Sequence, residues 1–229
     1  MPRWCATVNL TPADAFAYPD MSALPNPLPL FPLKTVLFPG ALLGLKVFEA
    51  RYLDLMSQCL RQRSPFGVVC LRQGTETGRG PANQAHTQLE DVGVLVRIDD
   101  IDAEEAGILT VRCTGTQRFR RVGEPGQRDN GLWHSQAELI GDDPLRAPGP
   151  AMTSTVAALA EAIQKLAELD QKPFAEPYRL DDAGWVANRW CELLPVSLAA
   201  KQKLMALDDP VIRLSLVDGF LRDKKVVVG

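Results

Sequence analysis

The stretch from residue 28 to residue 52 constrains the fold of this chain more than any other segment. It predicts a short apolar strand at Leu28–Leu33, a tight turn at Pro39-Gly40, a second strand at Leu42–Val47 and then a helix. The first strand contains two prolines, which cannot donate hydrogen bonds to a neighbouring strand. We therefore expect this strand to be short and to lie at a sheet edge or to carry a bulge.

β-type patterns dominate up to residue 140, because β-branched and aromatic runs alternate there with turn residues. The segment 74–90 is rich in glycine and polar residues and predicts an exposed loop. The further strand candidates are Phe66–Leu71, Val92–Ile101, Ile108–Thr114, Gln117–Val122 and His134–Ile140.

One helix, Glu49–Gln62, interrupts the strands. Apolar residues recur in it at helical spacing and predict a face that packs on the sheet. The residues of that face are Tyr52, Leu55, Met56, Cys59 and Leu60.

A polar break at 141–150 separates the β patterns from helical ones. Beyond it we predict four helices, the first over Thr153–Leu169. The other three have N-cap signals and end near Leu194, Ala206 and Arg222. The N-cap candidates are Asp181 or Asp182, then Ser197, then Asp209 followed by Pro210.

Three runs in the first stretch, P-L-F-P-L, V-L-F-P-G and F-E-x-R-Y, resemble the amino-terminal substrate-binding domain of Lon-type ATP-dependent proteases. The resemblance is to the small form that occurs without the rest of the protease. It continues through most of the chain. The other similar segments are Phe66–Val69, Val92–Ile98, Gly115–Arg120, Trp185–Ala187, Glu192–Pro195, Lys201–Met205 and Leu207–Pro210.

The resemblance implies an α+β fold, a PUA-like β pseudo-barrel with an inserted helix, followed by a C-terminal helical bundle. We place the β-barrel subdomain at 24–145 and the helical bundle subdomain at 146–229. Residues 1–23 lack periodicity and predict a disordered or loosely packed extension. Met21 is an alternative start of the protein, and a natural flexible extension is the other interpretation.

Composition limits the partners. The net charge is -3, which disfavours a polyanion such as nucleic acid as the main partner. No apolar run reaches the ~20 residues that span a membrane. The five cysteines are widely spaced, and four of them lie in apolar segments, so buried reduced thiols in a cytoplasmic protein are expected.

Catalytic motifs are missing from the sequence. It contains no G-x-x-x-x-G-K-[ST] run to bind nucleotide phosphates and no C-x-x-C or H-x-x-x-H spacing for a metal. A hydrolase base would have to be His86, in the loop, or His134, at a strand start. We therefore predict no enzyme activity, no cofactor and no metal.

The resemblance and the missing motifs together imply a non-catalytic module that binds unfolded or damaged polypeptides, or an adaptor to proteolysis, with a protease or chaperone as a further partner. Apolar surface or a free strand edge would suit such a role. The candidate polypeptide-binding residues surround the Pro-Gly turn: Leu37, Phe38, Leu42 and Leu43.

The cleft between barrel and helices is the default location for a site. Its candidates, from the charged cluster in the family motif, are Glu49, Arg51 and Tyr52. For these three a structural role is the preferred interpretation: a favourable helix dipole, an ion pair and core packing.

Two other function classes stay open. A small-molecule or hydrolytic role would need a deep pocket with converging polar groups near His134, Glu49 or Arg51. An RNA-binding role, suggested by the PUA-like fold, would need a basic face, although for Arg118, Arg120 and Arg121 a solvated strand face is the preferred interpretation. The arginines concerned are Arg97, Arg112, Arg118, Arg120 and Arg121.

Overall fold

The structure is a computed structural model that describes residues 24–76 and 87–227, without the side chains of residues 104 and 105. The expectations for residues 1–23, which include Cys5 and a start at Met21, lie outside the described residues. The same holds for His86 and the centre of the 74–90 loop.

Seven strands and five helices make up the described chain, with a short 3-10 helix at Pro150–Met152. The strands are β1 Leu28–Leu33, β2 Leu42–Val47, β3 Phe66–Gln73, β4 Gln88–Leu89, β5 Val92–Glu105, β6 Ile108–Gln127 and β7 Trp133–Leu139. The helices are α1 Ala50–Gln62, α2 Thr153–Glu168, α3 Ala183–Leu193, α4 Leu198–Met205 and α5 Pro210–Asp223.

Five of the strands close into a ring. Their order is β1, β7, β6, β5 and β3, and β3 pairs again with β1. The β1–β3 pair is parallel and the other pairs are antiparallel. β2 pairs with the first part of β6, and β4 pairs with the end of β3. A closed ring with α1 inserted and helices after it confirms the α+β class.

The expected edge position of β1 is wrong. β1 lies between β7 and β3, but the two ladders are staggered and share only Leu30. Pro29 is in register with β7, whereas Pro32 is in register with β3. Each proline therefore lies in one ladder only. This explains how a strand with two prolines can lie inside a ring.

β6 is one strand of 20 residues, although the sequence predicted two strands with a break near Gly115. Gly115 instead allows another backbone segment to approach β6 closely. A Cβ on Gly115 would lie 2.8 Å from the carbonyl oxygen of Phe38, so the turn before β2 packs directly on the β6 backbone. β4 at Gln88–Leu89 was also missed, because this two-residue strand lies in the predicted loop.

The helix boundaries follow the predicted caps. The Asp182 side chain accepts a hydrogen bond from Gly184 N, and Ser197 accepts one from Ala200 N. Asp209, which precedes Pro210, accepts from two amide groups of α5. These side chains satisfy N–H groups that have no partner within the helix. In α1 the predicted apolar face is buried except for Leu60, which is exposed in the last turn.

The two faces of the ring strands contribute to different apolar clusters. The larger cluster includes one face of the sheet and residues of α1, α2, α3, α4 and α5, such as Met56, Leu159 and Leu214. The smaller cluster draws on the opposite face of all five ring strands and contains Phe119 and Leu30. Strand alternation accounts for this division, because neighbouring side chains point to opposite faces.

Phe119 lies against two glycines in the smaller cluster. A Cβ on Gly67 or on Gly93 would lie 2.6 Å from the Phe119 ring. On Gly93 the same Cβ would lie 2.5 Å from the backbone oxygen of Val68, which cannot move aside alone. The ring fills space that only glycine leaves open.

We expect Gly93→Ala to lower the free energy of unfolding by about 2–3 kcal/mol because the added methyl overpacks the cluster. Gly44→Ala is the matched control, since a Cβ there would meet no atom within 4 Å. Its effect should stay within about 0.5 kcal/mol. Urea denaturation of both variants measures the difference, and equal effects would contradict the packing argument.

Candidate functional site

The Pro39-Gly40 turn is covered by α3. Arg189 of α3 is fully buried and donates hydrogen bonds to the carbonyls of Pro39 at 2.7 Å and Gly40 at 2.6 Å. Gly40 has a φ of 77°, a left-handed conformation that favours glycine. The turn therefore anchors the helices to the ring.

This contact corrects the expectation that Leu37 and Phe38 form a binding surface. Both are buried, Phe38 completely, because the turn is sandwiched between β6 and α3. Leu42 is 45% exposed and Leu43 is half-buried. Of the four candidates, Leu42 and Leu43 thus remain accessible.

β2 has an unpaired side. Among the described strands it pairs with β6 alone, and only its beginning is bordered on the other side, where Ala41 forms a bridge with Phe174. Beyond that point its outer side faces a groove of about 240 Å³, here called the β2 groove. The β2 groove is lined by Phe31, Leu33, Gly44, Leu45, Lys46, Val47, Phe48, Glu49, Tyr52 and Glu76.

The β2 groove also borders the second half of β1. β7 pairs with β1 only as far as Leu30, so Phe31 and Leu33 have a partner in β3 but none in β7. Both residues line the groove together with residues of β2.

The main chain of β2 offers hydrogen-bonding groups to this groove. Gly115 N donates to the carbonyl of Ala41, and this bond sets the phase of the β2–β6 ladder, which has no register shift. Bonded and non-bonded positions alternate along an antiparallel ladder. The main-chain groups of Gly44 and Lys46 therefore face away from β6.

Phe48 is the most exposed aromatic side chain of this region. It follows β2 directly and is 57% exposed at the rim of the groove. The sequence pattern did not single out Phe48 as a candidate, because this residue was considered only as part of the family motif. An aromatic residue between a strand and a helix start was the available signal.

The Glu49, Arg51 and Tyr52 cluster is not in the cleft between ring and helices. Glu49 and Tyr52 line the β2 groove, and Arg51 is buried beside it. Arg51 pairs with Glu49 at 2.9 Å and donates to the carbonyl of Gly131 at 3.0 Å. Burial raises the pKa of Tyr52 to about 12, against the opposing effect of Arg51. Arg51 thus ties the start of α1 to the loop before β7.

A second cavity does lie between ring and helices. It has a volume of about 350 Å³ and is here called the barrel–helix cavity. Its walls are mainly polar, and Leu145 stands exposed at its border. The lining residues are Pro39, Gly40, Gly115, Thr116, Arg118, Asp142, Asp143, Leu145, Arg179, Asp182, Gly184, Trp185 and Asn188.

Arg118 and Asp143, which line this cavity, already have partners. Asp143 accepts from Arg118 of β6 at 2.9 Å and from Arg213 of α5 at 2.5 Å. Arg118 also donates to the carbonyls of Met205 and Leu207, at 3.1 and 2.7 Å. Burial lowers the pKa of Arg118, and the neighbouring Asp143 opposes this shift. The cluster therefore has a structural role that joins ring, linker and helices.

The five arginines considered for RNA do not form a basic face. Arg97 pairs with Asp99, Arg112 with Asp100, Arg118 with Asp143 and Arg121 with Asp91, while Arg120 is exposed. The expected solvated position of Arg118 is wrong, because the connection between α4 and α5 covers this face of β6.

Neither an activated cysteine nor a metal site is evident in the described part of the chain. Its four cysteines are buried and free, and burial raises the thiol pKa of Cys70 to about 11 and of the other three to about 12. The described residues include no group of three or more metal ligands. His134 is half-buried and its ring packs over Gly126. No helix within 24–76 and 87–227 has the length and apolarity needed to cross a membrane.

A comparison with protein families identifies the chain. The family described as the ATP-dependent protease La (LON) substrate-binding domain matches residues 27–223. The chain belongs to this family.

Solved structures agree with this assignment. The Lon N-terminal domain protein from Xanthomonas campestris is 35% identical, with a TM-score of 0.66, over 84% of this chain and 97% of that chain. The N-terminal domain of the Mycobacterium avium complex Lon protease is 14% identical, with a TM-score of 0.56, over 86% and 98% of the two chains, and shows the fold alone. A comparison with curated proteins gave no match.

We expect Asp143→Asn to lower the free energy of unfolding by about 3–5 kcal/mol, because it leaves two buried guanidinium groups without their shared anion. Asp142→Asn is the control, since the neighbouring carboxylate is exposed. That variant should change stability by about 0.5 kcal/mol or less. Similar small losses in chemical denaturation would mean that the backbone carbonyls alone satisfy Arg118 and Arg213.

We expect Glu192, near the end of α3, to make stability depend on pH. Its carboxylate lies 2.6 Å from Arg189, yet burial raises its pKa from 4.5 to about 7. The folded state therefore holds this proton more tightly than the unfolded state. The stabilising contribution is complete below pH 4.5 and is lost as the pH rises through about 7.

The free energy of unfolding of the native chain should accordingly fall relative to that of Glu192→Gln as the pH rises from about 5 to about 8, by about 1–3 kcal/mol. The variant has no carboxyl group to titrate. Denaturant unfolding at several pH values measures both chains. Parallel pH profiles would show that Arg189 keeps Glu192 ionised throughout.

Proposed function

We propose that the protein is a non-catalytic module that binds unfolded or damaged polypeptide in the β2 groove. The observation that carries this proposal is the unpaired side of β2, with the main-chain groups of Gly44 and Lys46 directed outward beside an apolar wall. A polypeptide of almost any sequence can pair with such an edge, because every residue except proline supplies both a donor and an acceptor.

The side chains around the groove suit this use. Phe48 and Leu42 are exposed, so they can pack on apolar residues that an unfolded polypeptide exposes. Phe31, Leu33 and Leu45 supply a pre-formed apolar floor. Binding through main-chain pairing and apolar burial is tolerant of sequence, as recognition of damaged proteins requires.

Membership in a family of Lon substrate-binding domains supports the proposal. The family is described by substrate binding, and the sequence of this chain has no phosphate-binding loop. A protease or a chaperone is the natural partner for such a module. The four cysteines of residues 24–76 and 87–227 are buried and form no disulfide, which favours a reducing compartment such as the cytoplasm.

RNA binding is less well supported, because four of the five arginines in question already face carboxylates. The barrel–helix cavity is the competing location for a ligand, whether polypeptide or small molecule. Its size is at the lower end of typical ligand pockets, ~300–1,000 Å³. Its buried charges, however, are used by the ring and the helices themselves.

The test compares a substitution at the β2 groove with a substitution at the barrel–helix cavity. Binding of fluorescent, reduced and carboxymethylated α-lactalbumin is measured by anisotropy for the native chain, Phe48→Ser and Leu145→Ser. Both side chains are exposed, so melting temperatures should hardly change. We expect Phe48→Ser to weaken binding at least about tenfold, the effect of losing about 1.4 kcal/mol, and Leu145→Ser to leave it unchanged.

A third variant, Gly44→Pro, tests main-chain pairing. It removes an outward N–H and places a ring in open space, so it should weaken binding while thermal unfolding shows a folded protein. Loss of binding only in Leu145→Ser would move the site to the barrel–helix cavity. A native chain that binds no unfolded substrate would overturn the proposal.

A further inference from the structure

α5 presents an apolar stripe to solvent. Ile212 is 54% exposed and Leu216 is 53% exposed, and the half-buried Phe220 continues the row at the next turn. These residues are spaced by four positions and so lie along one side of the helix. Ser215 and Gly219, both exposed, lie beside them, and a Cβ on Gly219 would meet no atom within 4 Å.

We propose that this stripe is the contact surface for a second copy of the chain, with the two α5 helices antiparallel about a two-fold axis near Leu216. Such an axis places Leu216 against its own copy and Ile212 against Phe220 of the partner. A two-fold contact must be self-complementary in this way. The small side chains of Ser215 and Gly219 let the helix backbones approach closely.

The charges at the two ends of α5 favour a second copy of the chain as the partner of this stripe. Asp208, 78% exposed, and Asp209 precede the helix, whereas Lys224 and Lys225 follow it. In the antiparallel arrangement Asp208 of one copy faces Lys224 of the other. The antiparallel helix dipoles add to the attraction.

The other charged groups near the apolar stripe of α5 either have partners or lie at its border. Asp209 caps its own helix, Asp218 is buried and bonds Arg222 at 2.7 Å, and Asp208 lies 3.9 Å from Arg118. Asp223 is exposed at the carboxyl end, beside the two lysines. The amino-terminal end of α5 therefore remains acidic, and its carboxyl-terminal end keeps a net positive charge. This inference does not depend on the proposed polypeptide binding.

Sedimentation velocity of the full chain between about 5 and 500 µM tests the proposal, since an apolar contact of this small size supports only a weak dimer. We expect a concentration-dependent dimer that Leu216→Glu abolishes and high salt weakens. Leu169→Glu is the matched control, because Leu169 is exposed at the end of α2, and it should dimerise like the native chain. A native chain that is monomeric throughout, or a dimer that Leu216→Glu leaves intact, would overturn the proposal.

Cross-linking tests the antiparallel geometry. In a Cys5→Ser background, Ser215→Cys places two thiols within about 3 Å along the helix axes, whereas Val211→Cys places them about 15 Å apart. We expect oxidation to link Ser215→Cys chains and not Val211→Cys chains. Equal linking of both would indicate parallel helices. A concentration-independent loss of melting temperature in Leu216→Glu, without any dimer, would show that another part of the same chain covers the stripe.

Discussion

The carboxylate of Asp143 holds the two halves of the molecule together. It accepts from Arg118 of β6 and from Arg213 of α5, both buried, and it belongs to the linker between them. The two guanidinium groups also donate to main-chain carbonyls at the end of α4 and in the segment before α5. A buried charge is tolerable only with such a set of partners. The orientation of the helices on the ring therefore depends on this acidic residue in a polar, irregular segment as well as on the contact of Arg189 with the turn before β2.

The helices leave the second side of β2 open while they fix its start. Arg189 holds the turn before β2 through two carbonyls, and the Ala41–Phe174 bridge borders the first residue. An exposed strand edge invites unwanted pairing, and proteins usually shorten or charge such edges. Here the edge is six residues long with one lysine, Lys46. This edge has the ordinary length of a strand, and it stays accessible beyond its first residue.

Local signals predicted the elements well and their partners poorly. The strand bounds of β1 and β2 and the caps Asp182, Ser197 and Asp209 follow from turn and capping chemistry that acts within a few residues. The position of β1 in the ring does not follow from such local chemistry. It depends on how β3 and β7, which are distant in the sequence, both pair with β1.

The site shows the same limit. The apolar run at Leu37 and Phe38 has the same composition whether it is exposed or covered, and only the packing of α3 decides that it is covered. Arg118 is likewise a surface-type residue by sequence and a buried one in the fold. The family resemblance gave the overall fold class, but the location of the β2 groove needed the three-dimensional register.

The ring can close only after β7, its last strand, has been synthesised. β1 at Leu28 must pair with β7 at Ser135, which is 135 − 28 = 107 residues further along. At a synthesis rate of ~5–20 residues per second, β1 emerges from the ribosome roughly 5–20 s before that partner exists. Its parallel partner β3 begins at Phe66, far earlier. Until β7 is made, Leu28 and Leu30 lack Trp133, with which they share the smaller apolar cluster in the folded protein.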